Sequence, residues 1–267
     1  MVKLTVNQIF VQAVTFHREG KLEDAERLYY SILEIQPEHL DTNNNLAVVL
    51  DHQGKIDAAV VSFRKVIELK PDFIEANYNL GVLLQKLEKL DEAEKSFGKA
   101  IEYKPHYAEA HNNLGIVLLE LKKLDEAEKS FGKAIEYKPH YAEAHNNLGI
   151  VLLELKKLDE AEKSFGKAIE YKPDYVETHI NLGIILNKKG DIVAAIDSYK
   201  RALNIQPNCT KAWHNIFYLL QAIKLKTLSI KEYIPLLDEK ITSKYAQVEK
   251  SILSYRLNLG SPSTEKS

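Results

Sequence analysis

Asparagine recurs along this chain at intervals of 34 residues. The six asparagines are Asn45, Asn79, Asn113, Asn147, Asn181 and Asn215. A second set lies three residues after each of them: Val48, Val82, Ile116, Ile150, Ile184 and Tyr218. Because residues three or four apart share one face of a helix, stacked helices would carry an asparagine ladder beside an apolar stripe. Carboxamides both donate and accept hydrogen bonds, so the pattern predicts a surface that holds the main chain of an extended peptide.

The same residues also have a purely structural interpretation. In that alternative, the asparagine amides bond to neighbouring helices, and the apolar residues complete the core between repeats. We favour the binding interpretation, in which the ladder faces a groove and the stripe receives apolar side chains of a partner.

An acidic residue stands four positions before five of the asparagines. These residues are Asp41, Glu75, Glu109, Glu143 and Glu177. A row of carboxylates beside the ladder would repel an acidic partner segment and attract a basic one. We therefore expect the partner to be a protein or peptide segment of neutral to basic character, with Glu109 and Glu143 among its contacts.

Histidine repeats at the same interval, at His111, His145 and His179. Neighbouring units of packed helices lie about 10 Å apart, which is too far for two imidazoles to share a zinc ion. We expect these histidines to pack rather than to bind metal, and we expect no cofactor. The sequence contains no Walker loop, nucleophile elbow or H-E-x-x-H helix. Its one cysteine, Cys209, can build neither a disulfide framework nor a thiolate metal site.

These spacings follow from an internal repeat. The segment PHYAEAHNNLGIVLLELKKLDEAEKSFGKAIEYK occurs twice in succession, beginning at Pro105 and again at Pro139. Such self-similarity predicts supersecondary units that stack side by side. Prolines continue the period in both directions: Pro37, Pro71, Pro105, Pro139, Pro173 and Pro207. With each proline at position 32, the repeats are 6–39, 40–73, 74–107, 108–141, 142–175 and 176–209.

Each repeat carries two helical patterns, at positions 1–14 and 17–30, which predicts an antiparallel helix pair. Position 8 is small: Ala13, Ala47, Gly81, Gly115, Gly149 and Gly183. Position 20 is always alanine, and position 24 is aromatic: Tyr29, Phe63, Phe97, Phe131, Phe165 and Tyr199. Small residues let the two backbones approach, and the aromatic ring fills the space toward the next unit. The proline at 32 ends the second helix.

Three glycines stand inside the second helices, at Gly98, Gly132 and Gly166. Glycine in a helix interior costs about 1 kcal/mol relative to alanine. Either the position is open and the glycine was copied by duplication, or a neighbouring backbone or partner approaches too closely for a Cβ atom. We favour the open position.

The pattern resembles the tetratricopeptide repeat, whose small residue at 8, alanine at 20, aromatic at 24 and proline at 32 stand here in register from Val6 to Cys209. The resemblance implies an all-α fold, a right-handed superhelix (an α-solenoid) of antiparallel helix pairs whose first helices line a concave groove. A comparable asparagine ladder lies in the tetratricopeptide region of O-GlcNAc transferase. Chaperone-binding members hold a C-terminal carboxylate with basic residues at positions 2 and 6. Here those positions are acidic and asparagine, so carboxylate capture is not expected.

After Thr210 the pattern weakens, and residues 210–259 are predicted to form a degenerate seventh unit with capping helices. Residues 260–267 are predicted to be a disordered tail. The segment KSILSYRLNLGSPSTEK resembles one that links tetratricopeptide arrays to a sulfotransferase-like domain. That resemblance implies that the chain is the N-terminal part of a longer bacterial protein.

Composition excludes several classes of function. Lys and Arg number 36 against 38 Asp and Glu, so the basic stripe of a nucleic-acid-binding protein is not expected. No run of about 18 apolar residues is present, so we expect no membrane span and a cytoplasmic location. The sequence therefore predicts a scaffold that binds other proteins and has no catalytic activity of its own. Two alternatives remain: a recognition module of a larger sulfotransferase or glycosyltransferase, and a scaffold that associates with itself.

Overall fold

The computed structural model describes residues 4–225, with side chains as far as residue 220. Thirteen α-helices and no strand occur in this part of the chain, which confirms the all-α prediction. They are α1 (Val6–Arg18), α2 (Leu22–Ile35), α3 (Leu40–His52), α4 (Ile56–Leu69), α5 (Ile74–Lys86), α6 (Leu90–Tyr103), α7 (Ala108–Glu120), α8 (Leu124–Tyr137), α9 (Ala142–Glu154), α10 (Leu158–Tyr171), α11 (Val176–Lys189), α12 (Ile192–Ile205) and α13 (Thr210–Leu225). The predicted capping helices after α13 and the predicted tail lie outside the described residues.

Odd-numbered helices begin at the first position of each 34-residue period, and even-numbered helices occupy its second half. The helices divide into two compact units, which separate within α9 between Val151 and Leu152. In the first unit, α1 packs on α2, α3 on α4, α5 on α6 and α7 on α8. The helices α2, α4 and α6 also contact the odd helix that follows them. In the second unit, α11 packs between α10 and α12, and α13 contacts both α11 and α12.

The turn between the two helices of a pair requires a left-handed residue at position 15. Glycine supplies it in three repeats and a charged residue in three others: Gly20 (φ 74°), Gly54 (φ 74°), Glu88 (φ 58°), Lys122 (φ 61°), Lys156 (φ 63°) and Gly190 (φ 86°). Residues with a Cβ atom are disfavoured in this conformation by about 1–2 kcal/mol. The packing of the helix pairs is therefore strong enough to impose the same turn on sequences that do not prefer it.

In the pairs that start at Ile74, Ala108 and Val176, the aromatic ring at position 24 lies directly on the glycine at position 8. A Cβ atom added at Gly115 would lie 2.7 Å from the ring of Phe131, and one at Gly81 would lie 2.8 Å from the ring of Phe97. Phe131 is completely buried, and burial of such a side chain contributes about 1.5–3 kcal/mol. The ring and the glycine thus fix the separation of the two helices.

Consecutive pairs are joined by a hydrogen bond that the sequence did not reveal. The side chain at position 4 donates an N–H group to the carbonyl oxygen of the proline six residues earlier. The bonds are Asn43 to Pro37 (3.0 Å), Asn77 to Pro71 (2.9 Å), His111 to Pro105 (2.9 Å), His145 to Pro139 (2.9 Å), His179 to Pro173 (2.8 Å) and Trp213 to Pro207 (3.0 Å). Three side-chain types therefore perform one task, which is to pair the carbonyl group that precedes each odd helix.

We predict opposite effects for one substitution at two positions of the same repeat. No atom lies within 4 Å of a Cβ atom built at Gly132, so Gly132→Ala should raise the free energy of unfolding by about 1 kcal/mol. Gly115→Ala would force the Phe131 ring to move and should lower the free energy of unfolding by about 1–3 kcal/mol. Urea unfolding followed by circular dichroism measures both. Equal effects of the two variants would contradict the packing described.

We also predict that His111 makes folding sensitive to acid. Burial lowers the pKa of His111, opposed by its bond to the Pro105 carbonyl, while Lys133 lowers it and Glu136 raises it. Below an unfolded pKa of about 6.5, the unfolded chain binds a proton that the folded chain does not yet bind. The contribution of His111 to the free energy of unfolding is therefore fully present above that pH. It is lost as the pH falls toward the lower pKa of the folded state.

The matched variant is His111→Asn, since Asn77 makes the same bond to its proline in the preceding repeat. This variant should fold normally and lose less stability between neutral and mildly acidic pH than the wild type. Thermal unfolding at a series of pH values gives the comparison. Identical pH profiles for the two proteins would show that His111 does not titrate in this range.

Candidate functional site: the asparagine face

The first helices of neighbouring repeats lie side by side in the first unit. The rings of His17 on α1 and His52 on α3 are 5.6 Å apart, and Lys86 on α5 pairs with Asp51 on α3 at 3.1 Å. Hydrogen bonds connect α5 to α7 and α7 to α9, as described below. We call the surface formed by α1, α3, α5, α7 and residues 142–151 of α9 the asparagine face.

The predicted residues of the first unit are partly exposed on these helices. They are Asn45, Val48, Asn79, Val82, Glu109, Asn113, Ile116, Glu143, Asn147 and Ile150. In the second unit, Asn181 and Ile184 on α11 and Asn215 on α13 are also partly exposed. Tyr218 on α13 differs from the rest because 74% of its surface is exposed.

A chain of hydrogen bonds runs along the asparagine face from α9 to α5. Asn146 donates to Asn147 Oδ1 at 3.4 Å, and Asn147 donates to Asn112 Oδ1 at 3.1 Å. Asn112 in turn donates to Asn113 Oδ1 at 3.2 Å, and Asn113 donates to the hydroxyl of Tyr78 at 3.0 Å. The structural role that we set aside for the ladder is therefore present in Asn113 and Asn147.

In the repeats joined by this chain, the residue before the ladder asparagine also takes part, a role that the spacing of the ladder did not predict. Asn112 and Asn146 are only 4% exposed. The Tyr78 ring packs between Phe97, which it meets edge-on, and the tilted ring of Tyr107, at centroid distances of 5.8 Å and 5.0 Å. The paired letters NN in the duplicated segment were the available signal. A buried amide next to Asn113 and next to Asn147 donates to it and fixes its orientation, because a buried polar group requires a partner.

Ladder residues nearer the N-terminus are bonded differently. The side-chain amide of Asn79 has no hydrogen-bond partner within residues 4–225. Burial raises the pKa of Tyr29 to about 12, and the nearby amide of Asn45 opposes that shift. The Tyr29 hydroxyl nevertheless has no partner in hydrogen-bond geometry among the described residues. Amide donors and acceptors are thus left available on α3 and α5.

The predicted row of carboxylates is also uneven. Glu109 pairs with Lys138 at 2.8 Å, and this hydrogen bond holds the pKa of Glu109 below its ordinary value despite burial. Lys138 lies over the ring of Tyr141, 4.3 Å from its centroid. Asp41 and Glu75 are exposed and form no ion pair with any residue that the structure describes. The uncompensated negative charge lies on α3 and α5.

The apolar stripe has two environments at once. Val48 and Val82 pack against the buried core of the first unit, yet both remain partly exposed beside the ladder. Such residues keep some apolar surface in contact with water, which a partner side chain can cover with a gain of about 25 cal/mol per Å². The stripe therefore belongs to the core and also offers a contact surface.

The repeating histidines bind proline carbonyl groups, as described above, and are almost fully buried. Within residues 4–225, no group of three or more His, Cys, Asp or Glu side chains is arranged to hold a metal ion. Among the described helices, none is long and apolar enough to cross a membrane.

Family models of the tetratricopeptide repeat match most of the repeat region. One matches three overlapping segments, residues 72–140, 106–173 and 140–208, and a second TPR repeat model matches residues 52–88. No curated protein sequence matches the chain.

Several solved structures are similar to this fold. YrrB, described as a TPR protein with an unusual peptide-binding site, is 25% identical, with a TM-score of 0.60 over 70% of this chain and 96% of its own. A tetratricopeptide repeat protein from Parabacteroides merdae has a TM-score of 0.69 at 16% identity, over 91% of this chain and 97% of its own. PilF from Pseudomonas aeruginosa has a TM-score of 0.64 at 22% identity, over 83% and 93%. The repeat positions, the packed helix pairs and the matching family models show that this chain belongs to the tetratricopeptide repeat family, whose fold is a scaffold for protein interactions.

Proposed function

We propose that this protein binds an extended segment of a partner protein along the asparagine face. The observation that carries the proposal is the combination on α3 and α5 of the Asn79 amide, the Asp41 and Glu75 carboxylates, and partly exposed valines. These polar groups have no hydrogen-bond or ion-pair partner among the described residues. Amides can bond to any main chain, and the valines can receive apolar side chains. The surface is therefore suited to bind a segment mainly through its backbone and to select weakly among side chains.

Repeat geometry fits an extended ligand. Packed helices lie about 8–10 Å apart, and an extended chain advances about 3.3 Å per residue. Each repeat would therefore meet about three residues of the bound segment. The similarity to YrrB, a protein described by its peptide-binding site, supports this kind of ligand.

Self-association by stacking of repeat arrays has less support along α1. Positions that face the preceding repeat are apolar and buried in the second repeat, as in Leu46 and Val49. Their counterparts in α1 are Gln12 and Thr15, both exposed. At these two positions, α1 offers another copy no apolar side chain to bury. Partner binding on the asparagine face is therefore the function that we propose, with no catalytic step assigned to the chain.

The test compares two identical substitutions on opposite faces. Val82 lies on the asparagine face, whereas Val61 on α4 is 66% exposed and away from it. Random peptides displayed on phage are selected on the wild-type chain, and binding of the enriched peptides is then measured. Val82→Lys should weaken binding about tenfold or more by removing buried apolar contact, and Val61→Lys should leave it unchanged.

Circular dichroism confirms that each variant is folded, and Val48→Lys replaces Val82→Lys if that variant is not. Absence of any enriched peptide, or equal binding by both valine variants, would overturn the proposal.

The charge of the asparagine face leads to a separate prediction. Glu75→Gln should weaken binding of a basic enriched peptide by about two- to fivefold, the size of an exposed ion pair. Asp57→Asn removes one negative charge from the exposed surface of α4 and should have no effect. Affinity should also fall with added salt, because charges beyond about 8–10 Å are screened. Peptide selection that enriches acidic sequences would contradict this.

A further inference from the structure

The hydrogen-bonded chain on the asparagine face stops at α5. In the repeat that starts at Ala142, Asn147 donates to Asn112 of the preceding repeat. The corresponding bond two repeats earlier would run from Asn79 to Asn44, and it is absent. Asn44 Oδ1 is buried and has no hydrogen-bond partner among the described residues. A buried acceptor without a donor is unfavourable, so this site can gain stability by acquiring one.

The residue before each ladder asparagine explains the difference. Asn146 donates to Asn147 Oδ1, and because a carboxamide is planar, fixing its oxygen also directs its NH2 group. That NH2 group then reaches Asn112 Oδ1. The residue before Asn79 is Tyr78, whose hydroxyl instead accepts a bond from Asn113. Asn79 therefore lacks the neighbouring N–H donor that orients Asn147.

We infer that a main-chain N–H group of the bound segment supplies this missing donor at Asn79. The inference rests on the proposed function and specifies where the backbone is read. The ligand N–H donates to Asn79 Oδ1, as Asn146 does to Asn147. The oriented Asn79 NH2 group then donates to Asn44 Oδ1. Binding of one ligand N–H group therefore forms two hydrogen bonds, one to Asn79 and one between Asn79 and Asn44. Asn113 and Asn147 already have internal partners and serve mainly to hold the repeats together.

Charge and apolar surface favour the same location. Asp41 and Glu75, in the first turns of α3 and α5, are exposed and without ion pairs among the described residues, whereas Glu109 on α7 is neutralised by Lys138. Val48 and Val82 lie one helical turn beyond the ladder residues on α3 and α5. The ligand class that fits is an extended segment with an apolar side chain and a basic residue nearby.

The experiment is a double-mutant cycle between one protein amide and one peptide N–H. The probe is the peptide most enriched from the phage library, labelled with fluorescein and bound to the full chain. Each backbone nitrogen of the peptide is methylated in turn, which removes its N–H group. At one position, methylation should weaken binding to the wild type about tenfold. The same methylation should have little effect on Asn79→Ala, which has already lost the acceptor.

Asn147→Ala is the matched control on the same face. It should lower the thermal midpoint, because Asn112 Oδ1 loses its donor, and leave peptide affinity within about twofold. If Asn147→Ala does not fold, Asn113→Ala serves as the control instead. Asn79 has no partner to lose among the described residues, so Asn79→Ala should keep the wild-type thermal midpoint.

The outcomes separate the inference from the proposed function. Coupling between one methylated position and Asn79 supports both. Coupling to Asn113 or Asn147 overturns the inference and leaves binding at the asparagine face intact. Coupling to no ladder residue does the same, provided that Val82→Lys still weakens binding. Failure of every peptide to bind, or binding unaffected by Val82→Lys, overturns both.

Discussion

Contact between the aromatic ring at position 24 and the small residue at position 8 is the interaction on which the rest of this structure depends. The ring of Phe131 occupies the space that a Cβ atom of Gly115 would need, so the separation of α7 and α8 is set by one side chain. That separation determines where the next pair can pack. It also keeps the odd-numbered helices of the first unit close enough for their amides to reach one another, as Asn147 reaches Asn112.

Connections between pairs use polar groups that the helices leave unsatisfied. A proline ends each even helix because it cannot continue the hydrogen-bond pattern, and its own carbonyl group then needs a donor. Asparagine, histidine or tryptophan at position 4 supplies that donor across six residues. What these side chains share is an N–H group that reaches the proline carbonyl oxygen at 2.8–3.0 Å, rather than aromatic character or affinity for metal. The repeating histidines are explained by this bond.

Asparagines of the same register position are in two bonding states on the asparagine face, and the preceding residue decides which. Beside a buried asparagine, as at Asn147, the ladder amide is drawn into a bond with the preceding repeat. Beside Tyr78, the amide of Asn79 has no partner in the described part of the chain. Small departures from the repeat therefore decide which amides of a regular ladder bond to a neighbouring repeat and which do not. The charges follow the same division, since Lys138 neutralises Glu109 while Glu75 is unpaired among the described residues.

The sequence by itself determined the helix pairs, their period and the face on which the asparagines lie, because these follow from local periodicity and from prolines, alanines and aromatics at fixed positions. It also indicated that Gly132 is open, as the structure shows. Only the tertiary structure decided the state of each polar group. Whether Asn79 or Asn147 has a partner depends on side chains about 35 residues away in an adjacent repeat. The pairing of Glu109 likewise depends on Lys138, which follows α8 and is 29 residues away in the sequence. Hydrogen bonds require atoms within about 3 Å, and a spacing of 34 residues cannot specify distances that small.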